Sequence, residues 1–157
     1  MCFDKKRIVV IPGIVLLLAS FFAVSALAQG KLATATSMRC TFPLNATGTW
    51  KKDGQPEALL KTPALVLLFD AINTDEGTGR LKNGSMNSDL VVRLTEGYLH
   101  FIQSFRTGPL YTTTVFDKET TAGKFKAVHS RHEYFTVPVP GATSSPEQYY
   151  GECEVLK

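Results

Sequence analysis

The chain reads as all-β: an antiparallel up-and-down meander of about eight strands that closes into a small barrel. Three observations point there. Short runs rich in β-branched and aromatic residues recur at a spacing of about ten to twelve residues, the cadence of hairpin-linked strands. Turn-forming clusters separate them, among them Asn73-Thr74-Asp75-Glu76-Gly77, Asn83-Gly84, Thr95-Glu96-Gly97 and Arg106-Thr107-Gly108. Two cysteines, Cys40 and Cys153, stand near the two ends of the β-rich part. Their pairing would tie the first strand to the last and leave no free sheet edge. An open two-layer sandwich is the alternative architecture.

Taken in order, the chain opens with Asp4 and the basic cluster Lys5, Lys6 and Arg7, then an apolar stretch from Ile8 to Leu27 that closes in Ala26-Leu27-Ala28. A charged start, an apolar middle and a small-residue ending are the parts of a secretory signal peptide. An uncleaved anchor of about 20 apolar residues is the competing reading, disfavoured by Pro12 and Gly13 inside the run and by the Ala-x-Ala ending. The expectation is therefore a signal peptide over residues 1–28, a flexible leader over 29–37, and one β-barrel domain over 38–157. The protein would be periplasmic or secreted, with no stable membrane span after cleavage. Lipid attachment is not expected, because Gln29 rather than a cysteine follows the cut.

In the domain, Met38 to Pro43 and Asn45 to Trp50 are two short extended pieces. Pro56 to Lys61 fits one or two helical turns, with Pro56 at the first helical position, and fits a loop equally well. Ala64 to Ile72 is apolar enough for a central strand. Thr78 to Lys82, Asp89 to Leu94, Tyr98 to Phe105, Leu110 to Phe116, Lys124 to Arg131 and Gln148 to Val155 complete the series. Between the last two runs a Pro/Gly/Ser loop covers Pro138 to Pro146, and the connection from Glu133 onward is long enough to serve as a contact surface.

Of the formal net charge of +3, +2 lies in the first seven residues, so the rest of the chain carries only about +1. With no basic cluster beyond Lys51-Lys52, nothing marks a nucleic-acid surface. The even cysteine pair predicts a disulfide in an oxidising compartment. No catalytic set, metal site or cofactor site is predicted. His129 and His132, three apart on a strand, project to opposite faces; His100 and His129 could share a face but have no partner ligand at a suitable spacing. Asp70, Asn73, Asp75 and Glu76 before Gly77 depart from the calcium-loop pattern and read as a polar turn. Ser130 beside His129 and His132 lacks both the geometry and the Gly-x-Ser-x-Gly elbow of a serine nucleophile.

Gly48-Thr49-Trp50 resembles the Gly-x-Trp that opens the first strand of lipocalins and related calycin barrels, where the tryptophan plugs the closed end. The other lipocalin motifs are missing. The segments Thr112-Thr113-Thr114-Val115-Phe116, Ala127-Val128-His129-Ser130-Arg131-His132 and Ser145-Pro146-Glu147-Gln148-Tyr149-Tyr150-Gly151-Glu152-Cys153 resemble those of a set of small exported alphaproteobacterial proteins of unassigned activity. The likeness runs over about residues 38 to 155 and is best after Leu99. Glu147 stands where the recurring pattern has Pro-Ser-Gln, and the resemblance implies no site residue.

Three functional readings follow. The first is a non-enzymatic exported module that binds a small apolar or envelope-derived ligand, with Trp50, Phe101, Phe116, Phe125 and Tyr150 as candidate lining residues. The second is a periplasmic protein-interaction or inhibitor module, similar in size and cysteine placement to periplasmic lysozyme inhibitors. The third is an envelope structural or stress protein. Whether the barrel interior is open or filled separates the first from the second.

Overall fold

Buried positions alternate with more exposed ones along the barrel strands of the computed structural model, which describes residues 30–84, 86–134 and 145–156 and has nine strands among them. The expected signal peptide and the loop tip at 135–144 lie outside the described residues. The strands are β1 (Met38–Trp50), β2 (Pro56–Lys61), β3 (Leu65–Asn73), β4 (Thr78–Asn83), β5 (Met86–Thr95), β6 (Tyr98–Ser104), β7 (Leu110–Glu119), β8 (Phe125–His132) and β9 (Glu147–Val155). Every pairing is antiparallel. From β3 onward each strand pairs with the next, and β9 returns to β1 from Met38↔Val155 to Thr47↔Glu147. This closes an eight-stranded barrel of β1 and β3 to β9, with β2 as an extra strand outside it. The sandwich alternative is excluded by that closure.

The two pieces expected before Trp50 are one strand of 13 residues with a bulge in it. Thr41 pairs with Glu152 and Leu44 with Tyr150, so Phe42 and Pro43 together oppose Gly151. The bulge changes which residues face inward: Met38, Cys40 and Phe42 are buried before it, Asn45 and Thr47 after it. Gly151 is required by this crossing, since a Cβ there would overlap the Thr41 carbonyl oxygen and come within 2.8 Å of the Phe42 Cα.

The segment expected as helical turns or loop, Pro56–Lys61, is a strand. It pairs with the outer half of β1, from Asn45↔Lys61 to Trp50↔Pro56. A six-residue edge strand carries too little alternation to announce itself, and Pro56 sits at its first position, where a missing N–H is tolerated. Residues 30–37, expected to be a flexible leader, instead fold as a turn over the end of the barrel where β1 begins. Leu32 and Ala35 are each only 2% exposed and belong to the core. Backbone bonds hold the turn: Ile72 N donates to Thr36 O at 2.9 Å and Leu156 N to Ser37 O at 3.0 Å. Thr74 Oγ1 donates to Ala33 O at 3.1 Å, and Lys31 pairs with Glu119 at 2.7 Å. Two apolar side chains three apart match a turn, not a strand period, which is why a strand-seeking reading passes over them.

Asn83 pairs with Met86, so the tight hairpin turn falls one residue later than the Asn83-Gly84 dipeptide, with Gly84 at φ +60°. Cys40 and Cys153 are directly opposite on β1 and β9, with Cα atoms 4.0 Å apart, and form a disulfide across the seam that closes the barrel. The core is apolar around Phe42, Phe69, Phe101, Phe125, Leu99 and Val115. Phe69 and Phe101 stack face to face at 4.0 Å across the middle of the barrel. The centre is therefore filled by side chains, as eight strands permit.

Candidate functional site

At the other end, where β1 runs out toward Trp50, the inward positions change character. Two cross-strand rows of polar residues line the mouth on β7, β8, β9 and β1: Tyr111–Arg131–Glu147–Thr47, and beneath it Thr113–His129–Tyr149–Asn45. Their inward direction follows from period-two alternation down β8, where Phe125, Ala127 and His129 are all buried. Burying so many polar groups is tolerable only when they satisfy one another, and here all but one of the side chains described do so. Tyr149 Oη donates to Glu147 Oε2 and Tyr111 Oη donates to Glu133 Oε2. Thr47 Oγ1 lies 2.7 Å from Asn45 Oδ1 and 3.3 Å from Glu147 Oε1. Asn45 Nδ2 is buried without a hydrogen-bond partner among the described residues.

The hydrogen bonds of His129 fix its tautomer. Arg131 Nε lies 3.3 Å from His129 Nε2, and a guanidinium can only donate, so Nε2 must carry the lone pair. The proton is then on Nδ1, which donates to Thr113 Oγ1 at 2.9 Å. Burial first, and the Arg131 charge second, hold the imidazole neutral and push its pKa down to about 3. The guanidinium itself lies between two aromatic rings, 5.3 Å from the centroid of Tyr111 and 5.1 Å from that of Tyr149. Burial, then the hydrogen bond to a carboxylate, raises both phenols to about 12, so each remains a donor.

Facing this polar wall across the mouth are Leu65, Leu67 and Leu81, with Phe105 at the rim. Between them is a cavity of about 420 Å³ that also reaches Lys82 and Ser88 on the leucine side and Gln103, Tyr111, His129 and Arg131 on the other. Below it the packed ring pair of Phe69 and Phe101 leaves only about 10 Å³.

The residues expected to line a ligand cavity divide between the two faces. Phe101 and Phe125 point inward but fill the core. Phe116 and Tyr150 point outward and lie beside a shallow groove on the outer surface with Lys126, Val128 and Glu152. They correct the expectation of inward aromatics, because Val115 and Tyr149 take the inward positions of β7 and β9. Trp50 is 56% exposed and meets Tyr134 edge-on at 5.8 Å. It plugs nothing: the bulge at Pro43 reverses its facing relative to Cys40.

Elsewhere His100 is on the outer face, its Nδ1 3.0 Å from Thr114 Oγ1 and its ring stacked on Tyr98. The register that sets Phe101 opposite Thr113 and His100 opposite Thr114 separates it from His129, so the two do not share a face. His132 is exposed. Asp70 is engaged by Lys82 at 2.9 Å and Arg80 at 3.8 Å. Asn73 Oδ1 accepts from the N–H groups of Asp75 and Glu76 at 3.1 and 3.0 Å, an Asx-type turn. Among the described residues no three His, Cys, Asp or Glu side chains gather as a metal site would require.

Sequence reasoning did not single out Tyr111, Arg131, Glu133, Glu147 or Tyr149. One signal was present: Tyr149 has the same strand parity as Cys153, which the expected disulfide already placed inside. No known family, curated protein or solved structure matches the chain.

Proposed function

We propose that the chain is an exported, non-enzymatic binding module that takes a small, mainly apolar molecule across the mouth of the barrel, not into its centre. The observation that carries this reading is the mouth cavity of about 420 Å³, which sets Leu65, Leu67, Leu81 and Phe105 against a row of polar side chains, with Lys82 and Ser88 at its edge. Its volume lies in the range of about 300–1,000 Å³ usual for ligand sites, and a few fixed polar groups in an apolar lining are what orient a small molecule. The apolar body of the ligand would lie on Leu65, Leu67, Leu81 and Phe105. A hydrogen-bonding head would face Gln103, Tyr111 and Arg131. Binding is favoured over catalysis by the state of His129: both ring nitrogens are already engaged, and a pKa near 3 makes it a poor base at neutral pH.

Export into the periplasm or medium is supported by the basic and apolar leader together with the disulfide, which belongs to an oxidising compartment. Intact mass should find the exported protein starting near Gln29.

The test of binding is titration of the folded, oxidised protein with an environment-sensitive hydrophobic dye, followed by displacement with envelope lipid extract. Saturable one-to-one binding is expected, lost in Leu81→Trp, which fills the cavity. No saturable binding, or binding indifferent to Leu81→Trp, would overturn the reading. A single partner protein retained from extract in place of dye binding would move it to the interaction module.

A further inference from the structure

The short strand outside the barrel leaves a sheet edge that closure removes everywhere else. Among the described residues β2 pairs with β1 alone. Five of its six residues are exposed, and Leu60 is 74% accessible. Such an edge presents unpaired N–H and C=O groups to any strand that can lie alongside it.

The geometry of the β1–β2 hairpin says which residues present those groups. Lys51 N donates to Gln55 O at 2.9 Å, which makes that pair a hydrogen-bonded one. Antiparallel pairs alternate between hydrogen-bonded and non-hydrogen-bonded. Glu57, Leu59 and Lys61 therefore bond inward to β1, and the backbone groups of Pro56, Ala58 and Leu60 face the open edge. Pro56, which has no N–H, stands at one of the positions where β1 does not need it.

We propose that this edge joins a second copy of the same chain, β2 against β2, antiparallel about a two-fold axis through Leu59. In that register Ala58 and Leu60 of one subunit form hydrogen-bonded pairs with Leu60 and Ala58 of the partner subunit. The exposed Leu60 then covers a small side chain. Glu57, whose carboxylate lies 3.8 Å from Lys51 Nζ of its own subunit, stands opposite Lys61 of the partner subunit, and the symmetry repeats the ion pair on the other side. The interface is self-complementary in backbone, shape and charge, as a two-fold contact must be. Shifting the register by two residues either way breaks the charge match, and in one direction brings Pro56 to a position that needs a donor. Lys61 alone would guard a lone edge; here it has an answering carboxylate.

The test is the mass of the oxidised protein in solution across a concentration series, by sedimentation equilibrium or native mass spectrometry. A concentration-dependent dimer is expected. Ala58→Pro removes an N–H that β1 does not use and should abolish dimerisation while leaving the barrel folded. Glu57→Lys and Lys61→Glu should each weaken the dimer about tenfold, because each turns two attractive cross-strand pairs into repulsive ones. The double variant Glu57→Lys/Lys61→Glu should restore it, a recovery that misfolding could not produce. A monomer at every concentration would overturn the proposal and leave the edge to a strand from another protein. A dimer that survives Ala58→Pro, or single reversals without effect, would overturn it as well.

Discussion

At the end of the barrel where β1 begins, the turn 30–37 lowers Leu32 and Ala35 into the core and the strands there bury Met38, Ile72 and Val92. At the mouth, the same inward positions on β7, β8 and β9 carry tyrosines, a histidine, an arginine and a glutamate. Both ends solve the problem of finishing a closed sheet, by opposite chemistry. The first excludes water with apolar area, which asks only for volume and fit. The second keeps polar groups inside, which asks that each donor meet an acceptor, as the Tyr–Glu pairs and the Arg131–His129–Thr113 chain do. The closed end is filled by apolar side chains, and its cavity of about 360 Å³ lies at the surface between the 30–33 turn and the β5–β6 turn; the cavity of the mouth is the one bordered by the interlocked polar rows.

Breaking the seam near the closed end should have the largest effect. Cys40 and Cys153 are 113 residues apart in sequence, and losing so long a cross-link in Cys153→Ala should cost about 3–5 kcal/mol in denaturant unfolding. Thiol labelling of the denatured, unreduced protein should find neither cysteine free.

The plug comes next. Leu32→Ala empties a fully buried site and should cost about 2–4 kcal/mol. An effect under about 0.5 kcal/mol, the level of an ordinary surface substitution, would mean that the turn contributes nothing to the closed end and that the contrast between the ends is false.

The mouth should respond to acid. With the His129 pKa held near 3 in the folded chain against about 6.5 when unfolded, the unfolded state binds a proton first as pH falls. Its contribution to stability is thus complete above about pH 6.5 and is lost on the way down to about 3, by up to about 1.4 kcal/mol per pH unit. The slope is best measured between pH 6.5 and 5, above most carboxylate titration, and His129→Asn should flatten it. Equal slopes in the two proteins would show that the imidazole is not held neutral.

The hairpin succession, the strand count and the pairing of the two cysteines were legible because each rests on local rules: turn chemistry, β-branched composition and an even cysteine count. The misplaced aromatics had two separate causes. For Tyr150 the information was present, since it has the opposite parity to Cys153 and so faces outward. For Trp50 it was not, because the bulge that reverses its direction is set by the approach of Phe42 and Pro43 to Gly151, a contact between residues more than a hundred positions apart. The mouth cluster was hidden for a related reason. Tyrosine, threonine and glutamate on a strand look like a solvated face, and only barrel closure, by setting β7, β8, β9 and β1 side by side, shows that they turn toward one another.

The bulge in β1 behaves like a shift of reading frame written in space instead of in codons. Upstream of it the even-numbered residues are read into the apolar interior; downstream the odd-numbered ones are, so Asn45 and Thr47 enter the polar rows while Leu44 stays outside. Deleting Pro43 would remove the extra residue and leave one unbroken alternation, with Phe42, Asn45 and Thr47 facing inward and Leu44 outward; the bulge is what lets an even-numbered apolar half and an odd-numbered polar half share one strand. One strand thus supplies two solvents to the same barrel, and the boundary between them is one residue long.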